Sequence, residues 1–410
     1  MQIISDLHIH SRYSRATSPT TDLPTLAHWA KIKGITLLGT GDFTHPQWYK
    51  ELQEYLVPVG NGLYRYGGVL FMLTVEVSAI WSQEGRVRKA HLVILAPSIE
   101  GAARINSELG QIGNLAADGR PILGISAERL GEVIWNAEEE AEVIPAHVWT
   151  PWFSVFGSRS GFDSLEECFG KYTDRIFAIE TGLSSDPEMN WRLSALDKLT
   201  LVSNSDAHSP GKLGREATLF DLPEPSYAGI IAAMKERDPS RFLGTIEFYP
   251  QEGKYHYDGH RACGIVLSPR EAMANNNLCP VCGKPLTIGV MHRVEELADR
   301  QQGEGPAQQI PYRSLVPLKE IIAQALGIGP TAKGVAREYE RLITHFGNEF
   351  RILLDLPEED LRQAVSRRIL QGILKVRAGD LQIEPGYDGV YGKVTISLDD
   401  VKDDEQLGLF

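Results

Sequence analysis

Cysteine is scarce: four residues in a chain of 410, too few for a disulfide framework. Cys168 reads as a plain core thiol, whereas Cys279 and Cys282 in "CPVCG" have a spacing that suits a metal better than a disulfide. Long apolar runs are missing too. None approaches a membrane span, and the opening "MQIISDLHIH" reads as a strand that already carries chemistry, leaving no room for a signal peptide. The expectation is a cytoplasmic, nucleoid-associated protein without a membrane partner. Positive charge is in short supply, with 41 Lys and Arg against 54 Asp and Glu and a formal net charge of −13. That argues against a large nucleic-acid interface, because phosphate neutralisation needs cations, but it leaves room for a locally basic groove. What remains is ordinary: 42% apolar and 23% charged residues, and enough length for two or three domains.

Up to about residue 245, short apolar runs alternate with helix-like segments: "IISDLHIH", "ITLLGTGD", "VLFMLTVEVS", "AHLVILA", "AEVIPAH", "RIFAIETG" and "LTLVSNSDAH". Such runs, separated by helices such as Pro24 to Lys33 stopped by Gly34, predict repeated βα units with a parallel sheet, and seven of them suggest a barrel. Nearly every run ends in His, Asp or Glu, and barrel enzymes gather their chemistry at the carboxyl ends of the strands. In order these are His8 and His10, Asp42 with His45 nearby, Glu76, His91, His147, then Asp206 and His208. Residues two apart in a strand face the same side, so His8 with His10, and Asp206 with His208, can each share a site. A single histidine is more often a hydrogen-bonded core or surface group. Two such pairs with Glu and His between them point to a cluster that suits Zn²⁺, Mn²⁺ or Fe²⁺.

"DLHIHS", "GTGD", "EVS", the middle "AH" and the late "SDAH" resemble the PHP (polymerase and histidinol phosphatase) domain, a metal-dependent phosphoesterase family with a distorted seven-stranded barrel. The resemblance covers roughly residues 1–245. Carried over by position, it implies metal ligands at His8, His10, Glu76, His91, His147, Asp206 and His208, with Zn²⁺, Mn²⁺ or Mg²⁺ as the ions. Two positions depart from the family: Asp42-Phe43 stands where many members have Asp-His, and "SRYSRA" follows where some have a further His. Asp42 is then a ligand or a neighbour of one, His45 a possible substitute, and Asp6 a group that orients a ligand histidine from behind. These three are the catalytic candidates. The implied chemistry is phosphoester hydrolysis by metal-activated water, two ions sharing the charge.

Beyond residue 245, Cys263, Cys279 and Cys282 offer three thiolates. His260, at H-x2-C, supplies a fourth ligand and His256 is its rival, giving a closed tetrahedral zinc module over 246–300. A closed site would hold together a segment too short to bury its own core. After a polar linker, "ALGIGPTA" between two helical stretches is similar to a helix-hairpin-helix, with a plain Gly turn as the equal alternative. Lys333, Arg337 and Arg341 follow it at helical spacing, so 313–397 is expected to be a helical DNA-binding region.

The order as a whole, from the PHP-like segment through "KYHYDGHRAC" and "CPVCGKPLTIGVMHRVEELADR" to the helices, resembles the endonuclease Q family of DNA-repair nucleases. That resemblance implies cleavage on the 5′ side of hypoxanthine, uracil, xanthine or an abasic site. Opening a duplex at a lesion needs aromatic wedges near the metals. "AHVWTPWFSVFGSRSGF" supplies Trp149, Trp152 and Phe153, with Arg159 for a phosphate and Arg261 beside the zinc module; core packing is the alternative for the aromatics. Finally "QLGLF" (Gln406, Leu407, Leu409, Phe410), at the end of an acidic tail over 398–410, resembles the motif by which bacterial repair proteins bind the sliding clamp. Two rival functions stand beside the nuclease. One is a phosphoesterase of small phosphorylated molecules, and the other a non-catalytic, clamp-bound repair adaptor.

Overall fold

The computed structural model describes residues 1–398. Its first ten strands are β1 (Gln2–Asp6), β2 (Leu37–Gly39), β3 (Val57–Gly60), β4 (Leu63–Tyr66), β5 (Val69–Gln83), β6 (Arg86–Ala96), β7 (Ile122–Leu123), β8 (Glu142–Pro145), β9 (Ala178–Glu180) and β10 (Thr200–Val202). All seven apolar runs are strands, and they follow one another round a ring. β1 pairs β2 and β2 pairs β5 in parallel; β5, β6 and β8 pair antiparallel; Val148 N–H reaches Glu180 O; β9 and β10 are parallel. Closure comes from a bridge between Ile9 and Ala207.

The sheet is therefore mixed, where uniform βα repeats predict a parallel one. The difference arises at Glu84 and Gly85, which join β5 to β6 with φ of 52° and 74°. Two successive left-handed residues make a tight hairpin turn, and the chain doubles back without a helix. Elsewhere the helices form as expected. Leu23–Lys33 starts where the Asp22 side chain accepts from Thr25 N–H and stops at Gly34, φ 93°; Ser98 and Ser126 cap Ile99–Ile112 and Ala127–Ala137 in the same manner.

After the ring, β11 (Ala217–Asp221) lies antiparallel to β1, and β12 (Phe242–Glu247) antiparallel to β11. A small hairpin of β13 (Asp258–His260) and β14 (Ile265–Leu267) follows. β15 (Tyr312–Ser314) then returns to pair with β12, so the main sheet extends beyond residue 245. Helices Leu318–Leu326 and Lys333–Phe346, joined through Gly327 at φ 65°, pack with Arg367–Ala378 into the helical C-terminal region. Among the described residues no helix is long and apolar enough to cross a membrane. Gln406, Leu407, Leu409 and Phe410 lie outside the described residues.

Candidate metal centre

The ends of the ring strands bring four side chains to one point: His8, His10, Glu76 and Asp206 offer ligand atoms within 4.8 Å of one another. A second set, Glu76, His91 and His147, meets the same condition. Glu76 belongs to both because its two oxygens face opposite ways. Oε2 lies 3.5 Å from His8 Nε2 and 3.2 Å from His10 Nε2, while Oε1 lies 2.6 Å from His91 Nδ1 and 3.1 Å from His147 Nε2. Asp206 Oδ1 closes the first set, 3.0 Å from His10 Nε2.

The outer nitrogen of three of these rings is held by the protein, which leaves the inner one aimed at the cluster. His8 Nδ1 donates to Glu180 at 2.9 Å, His10 Nδ1 to Asp42 at 3.1 Å, and His147 Nδ1 faces the Thr150 hydroxyl at 3.1 Å. His8 Nε2 is buried with no hydrogen-bond partner. His91 Nδ1 and His147 Nε2 stand 3.2 Å apart. An orphaned imidazole nitrogen and two convergent ones, among buried carboxylates, fit divalent cations better than they fit one another.

Burial opposes charge on Glu76, but nearby His91 and His8 outweigh it and hold its carboxyl well below the usual range. Burial likewise opposes protonation of His8, and the carboxylates of Glu180 and Glu76 reverse this, raising its pKa well above the ordinary value. The anionic field that here holds protons is the one that would hold metal. Backbone strain gathers at the same place: Asp42, His147 and Asp206 all have positive φ, 51°, 30° and 46°. Each such residue costs on the order of 1–3 kcal/mol, which the surrounding packing must offset.

Several expected site residues stand elsewhere. Asp42 is fully buried and accepts from Ser11 N–H and Oγ and from Ser14 Oγ as well as from His10, so it positions the His10 ring. His45 does not substitute for a ligand: its ring stacks on Tyr13, centroids 4.4 Å apart, outside both ligand sets. Asp6 does not orient a histidine. Its carboxylate accepts from Ser205 N–H, Ser205 Oγ and Gly214 N–H, pinning the turn that presents Asp206. His208 lies beside the cluster, its ring 4.5 Å from that of His10, with Nδ1 2.9 Å from the Asp206 carbonyl.

Among the aromatics, Trp149 is corrected to a core residue, 1% exposed and donating to Asn190 at 2.8 Å. Trp152 is 45% exposed. Phe153 packs against the His91 ring at 4.6 Å. Arg159, Arg261, Lys333 and Arg337 are exposed, whereas Arg341 is tied to Glu338 and the Ala364 carbonyl.

Sequence reasoning missed two residues. Glu180 ends β9 as Glu76 sits within β5, and a carboxylate closing the run "RIFAIETG" was the available signal. Arg120 had none: it lies in a loop, yet its guanidinium reaches Glu76 Oε2 at 3.1 Å and is a quarter exposed.

The second candidate centre joins β13 to the "CPVCG" turn. His260, Cys263, Cys279 and Cys282 offer ligand atoms within 4.8 Å of one another, His260 Nδ1 being 3.5 Å from Cys282 Sγ. His256 is not among them. The local apolar cluster has only Ala272, Cys279 and Leu286 buried at its centre, while Val290 and Val294 of the same segment are buried in the main core.

Comparison with known proteins agrees with this architecture. A family described as PHP-associated matches residues 191–239, and the MJ0043 C-terminal domain matches residues 317–380. YqxK, an uncharacterised protein of Bacillus subtilis (strain 168), is 29% identical over 96% of this chain and 99% of its own length. MJ0043 of Methanocaldococcus jannaschii, also uncharacterised, is 32% identical over 67% of this chain, and the match spans 35% of that longer protein. The crystal structure of the lesion-specific endonuclease PfuEndoQ from Pyrococcus furiosus matches 97% of the chain, and 96% of its own, with a TM-score of 0.87 and 34% identity. An endonuclease Q solved with a 27-mer duplex carrying an abasic lesion at its active site matches over 100% of both chains, with a TM-score of 0.86 and 33% identity. The chain therefore belongs to the endonuclease Q family, and is a metal-dependent hydrolase of the endonuclease class built on the PHP fold.

Proposed function

We propose that this protein is a DNA-repair endonuclease that hydrolyses the phosphodiester on the 5′ side of a deaminated base (hypoxanthine, uracil or xanthine) or of an abasic site. The observation that carries this reading is Glu76, whose two oxygens face two ligand sets, in a chain that matches a lesion-bound endonuclease Q from end to end. In this reading His8, His10, Glu76 and Asp206 hold one divalent ion and Glu76, His91 and His147 a second, with His208 at the edge. Bound divalent ions lower the pKa of water towards ~7 and stabilise charge on the phosphate oxygens.

The chain's own residues do the rest. Glu180 and Asp42 fix the tautomer and direction of His8 and His10. Arg120, the cation beside Glu76, offers guanidinium N–H groups to a phosphate oxygen arriving at the cluster. Trp152 and Phe153, on the loop leaving His147, are placed to meet an opened base stack, and Arg159, Arg261, Lys333 and Arg337 to meet backbone phosphates. His260, Cys263, Cys279 and Cys282 hold a structural Zn²⁺ within 246–300, beside a local apolar cluster of only three buried residues. The barrel over 1–245 carries the chemistry, the helices of 313–397 extend the DNA surface, and Gln406, Leu407, Leu409 and Phe410 dock on the sliding clamp.

The test is a labelled duplex with one deoxyinosine, uracil or abasic site, incubated with Mg²⁺ or Mn²⁺. A metal-dependent cut immediately 5′ to the lesion is expected, absent from undamaged duplex and lost in His8→Ala. Deleting residues 406–410 should leave that cut intact while removing retention on the clamp. No cut at any of the three lesions, or brisk hydrolysis of generic phosphate monoesters, would sink the nuclease reading.

A further inference from the structure

Glu76 is not the only carboxylate that reaches both ligand sets. Glu180, at the end of β9 and fully buried, holds the first set through a ring: it accepts from His8 Nδ1 at 2.9 Å. It holds the second through the backbone, its Oε2 also accepting from His147 N–H at 2.9 Å. That amide belongs to a residue with φ of 30°, a conformation that persists only where the surroundings impose it. The place of one carboxylate thus fixes the direction of the His8 ring and the backbone from which the His147 ring turns towards Glu76.

Glu180 is itself held by Asn204. This residue follows β10, is 5% exposed and belongs to neither ligand set. Its Nδ2 donates to Glu180 Oε1 at 2.9 Å, and its Oδ1 accepts from Leu7 N–H at 2.7 Å. The partners settle which way the amide faces. Leu7 N–H can only donate, so the oxygen must face it, and the NH₂ group is left for the carboxylate. Asn204 therefore ties Glu180 to the residue that immediately precedes His8, and chain segments leaving β1, β8, β9 and β10 meet in this one arrangement.

Without the Asn204 donor, Glu180 Oε1 would be buried with no partner beyond the His8 ring. The carboxylate would then be free to turn, and to trade its bond to His147 N–H for a better one to His8. Residues on either side of Asn204 have other partners. The Ser203 hydroxyl donates to the Ile246 carbonyl at 2.9 Å and to Glu247 at 3.1 Å, and Ser205 binds Asp6.

We infer that Asn204 is a positioning residue of the metal centre: by fixing Glu180 it sets the His8 ring and the His147 backbone together, so that both ligand sets tighten or loosen as one. This inference rests on the proposed metal-centre reading and extends it to a residue outside the ligand sets.

Mn²⁺ is the probe, because imidazole and carboxylate groups bind it while thiolates select softer ions. Its binding would be followed by electron paramagnetic resonance on protein dialysed so that any metal at the cysteine cluster stays in place, beside the Mn²⁺ dependence of nicking at one abasic site. Asn204→Leu keeps the size and removes the donor; both Mn²⁺ binding steps should weaken, and the midpoint of the nicking dependence should rise by about tenfold to a hundredfold. Glu180→Gln sets an NH₂ group against that of Asn204 or against His147 N–H and should do the same. Adding Asn204→Asp to Glu180→Gln moves the carboxylate to the other partner and gives every donor an acceptor again, so the double variant should return to within about threefold of wild type. Ser203→Ala, which removes buried hydrogen bonds from the adjacent residue, should lower the denaturation midpoint and leave the Mn²⁺ midpoint where it was. A merely structural Asn204 would behave like Ser203. Unmoved Mn²⁺ midpoints in Asn204→Leu, weakening of a single binding step, or a double variant no better than Glu180→Gln would each overturn the inference; the last comparison also decides it should Asn204→Leu fail to fold. Wild-type protein that binds no Mn²⁺ would instead overturn the metal-centre reading beneath it.

Discussion

Glu76→Gln is expected to lower nicking by at least about a thousandfold and to empty both halves of the metal centre at once. The reason is geometric. Its two oxygens serve different histidine pairs, His8 with His10 and His91 with His147, and the side chain is 1% exposed, so nothing else can take its place. Gln has the same size but no charge, and it turns an N–H₂ donor towards one of the two sets. The anion that burial and four imidazoles surround is then lost. His91→Ala, by contrast, touches one set only. Metal content of the purified variants, measured alongside the nicking rate, separates the two: Glu76→Gln should lose active-site metal at both positions and His91→Ala at one, with any metal at the cysteine cluster unchanged in each. Full metal content in Glu76→Gln would show that the carboxylate is not shared.

The second large effect is on stability. Lys33 Nζ and Glu349 Oε2 form an ion pair of 2.7 Å with side chains 6% and 5% exposed, and it ties the last turn of the first barrel helix to the C-terminal helices. Glu349 is fully engaged, accepting also from the Tyr339 hydroxyl at 2.6 Å and from Leu318 N–H at 3.0 Å. Glu349→Ala leaves a buried ammonium, a phenol and an amide without their acceptor. The expected cost is about 3–5 kcal/mol, read as a drop in the denaturation midpoint.

A buried pair need not be a net stabiliser, so Lys33→Met with Glu349→Leu should recover most of that loss. The pH dependence has a definite sign. Burial opposes ionisation of Glu349, but Lys33 and the Tyr339 and Leu318 hydrogen bonds outweigh it and hold its pKa below 4.5. Its contribution is therefore complete above pH 4.5 and is lost as the pH falls through the lowered value. The gap between wild type and Glu349→Ala should narrow on acidification. A constant gap from pH 7 to pH 3 would mean that packing, not charge, holds the interface.

Much of the candidate metal centre was legible because its residues recur at strand ends. His8, His10, Glu76, His91, His147 and Asp206 each close or interrupt an apolar run, and a period of two put His8 and His10 on one side. The thiolates and His260 were legible for a similar reason, since short spacings confine ligand atoms to one neighbourhood. Asp6, His45 and Trp149 were misread because a carboxylate, an imidazole or an indole near a motif carries no mark of where it turns. Asp6 turned to the Ser205 amide and Trp149 to Asn190, contacts whose partners are 199 and 41 residues away. Arg120 gave no local pattern at all; only the fold carries its loop to Glu76.

By itself, then, the sequence determined the seven strands, which side chains stand at their ends, the close spacing of His260 and the cysteines, and the family, because each rests on residue type and short-range period. The tertiary structure alone decided that β5 doubles back on β6, that Glu76 looks both ways, and that His260 and not His256 joins the cysteines. Those are relations between segments brought together by closure of the ring and burial of its core, and no local pattern records which distant carboxylate an imidazole will meet.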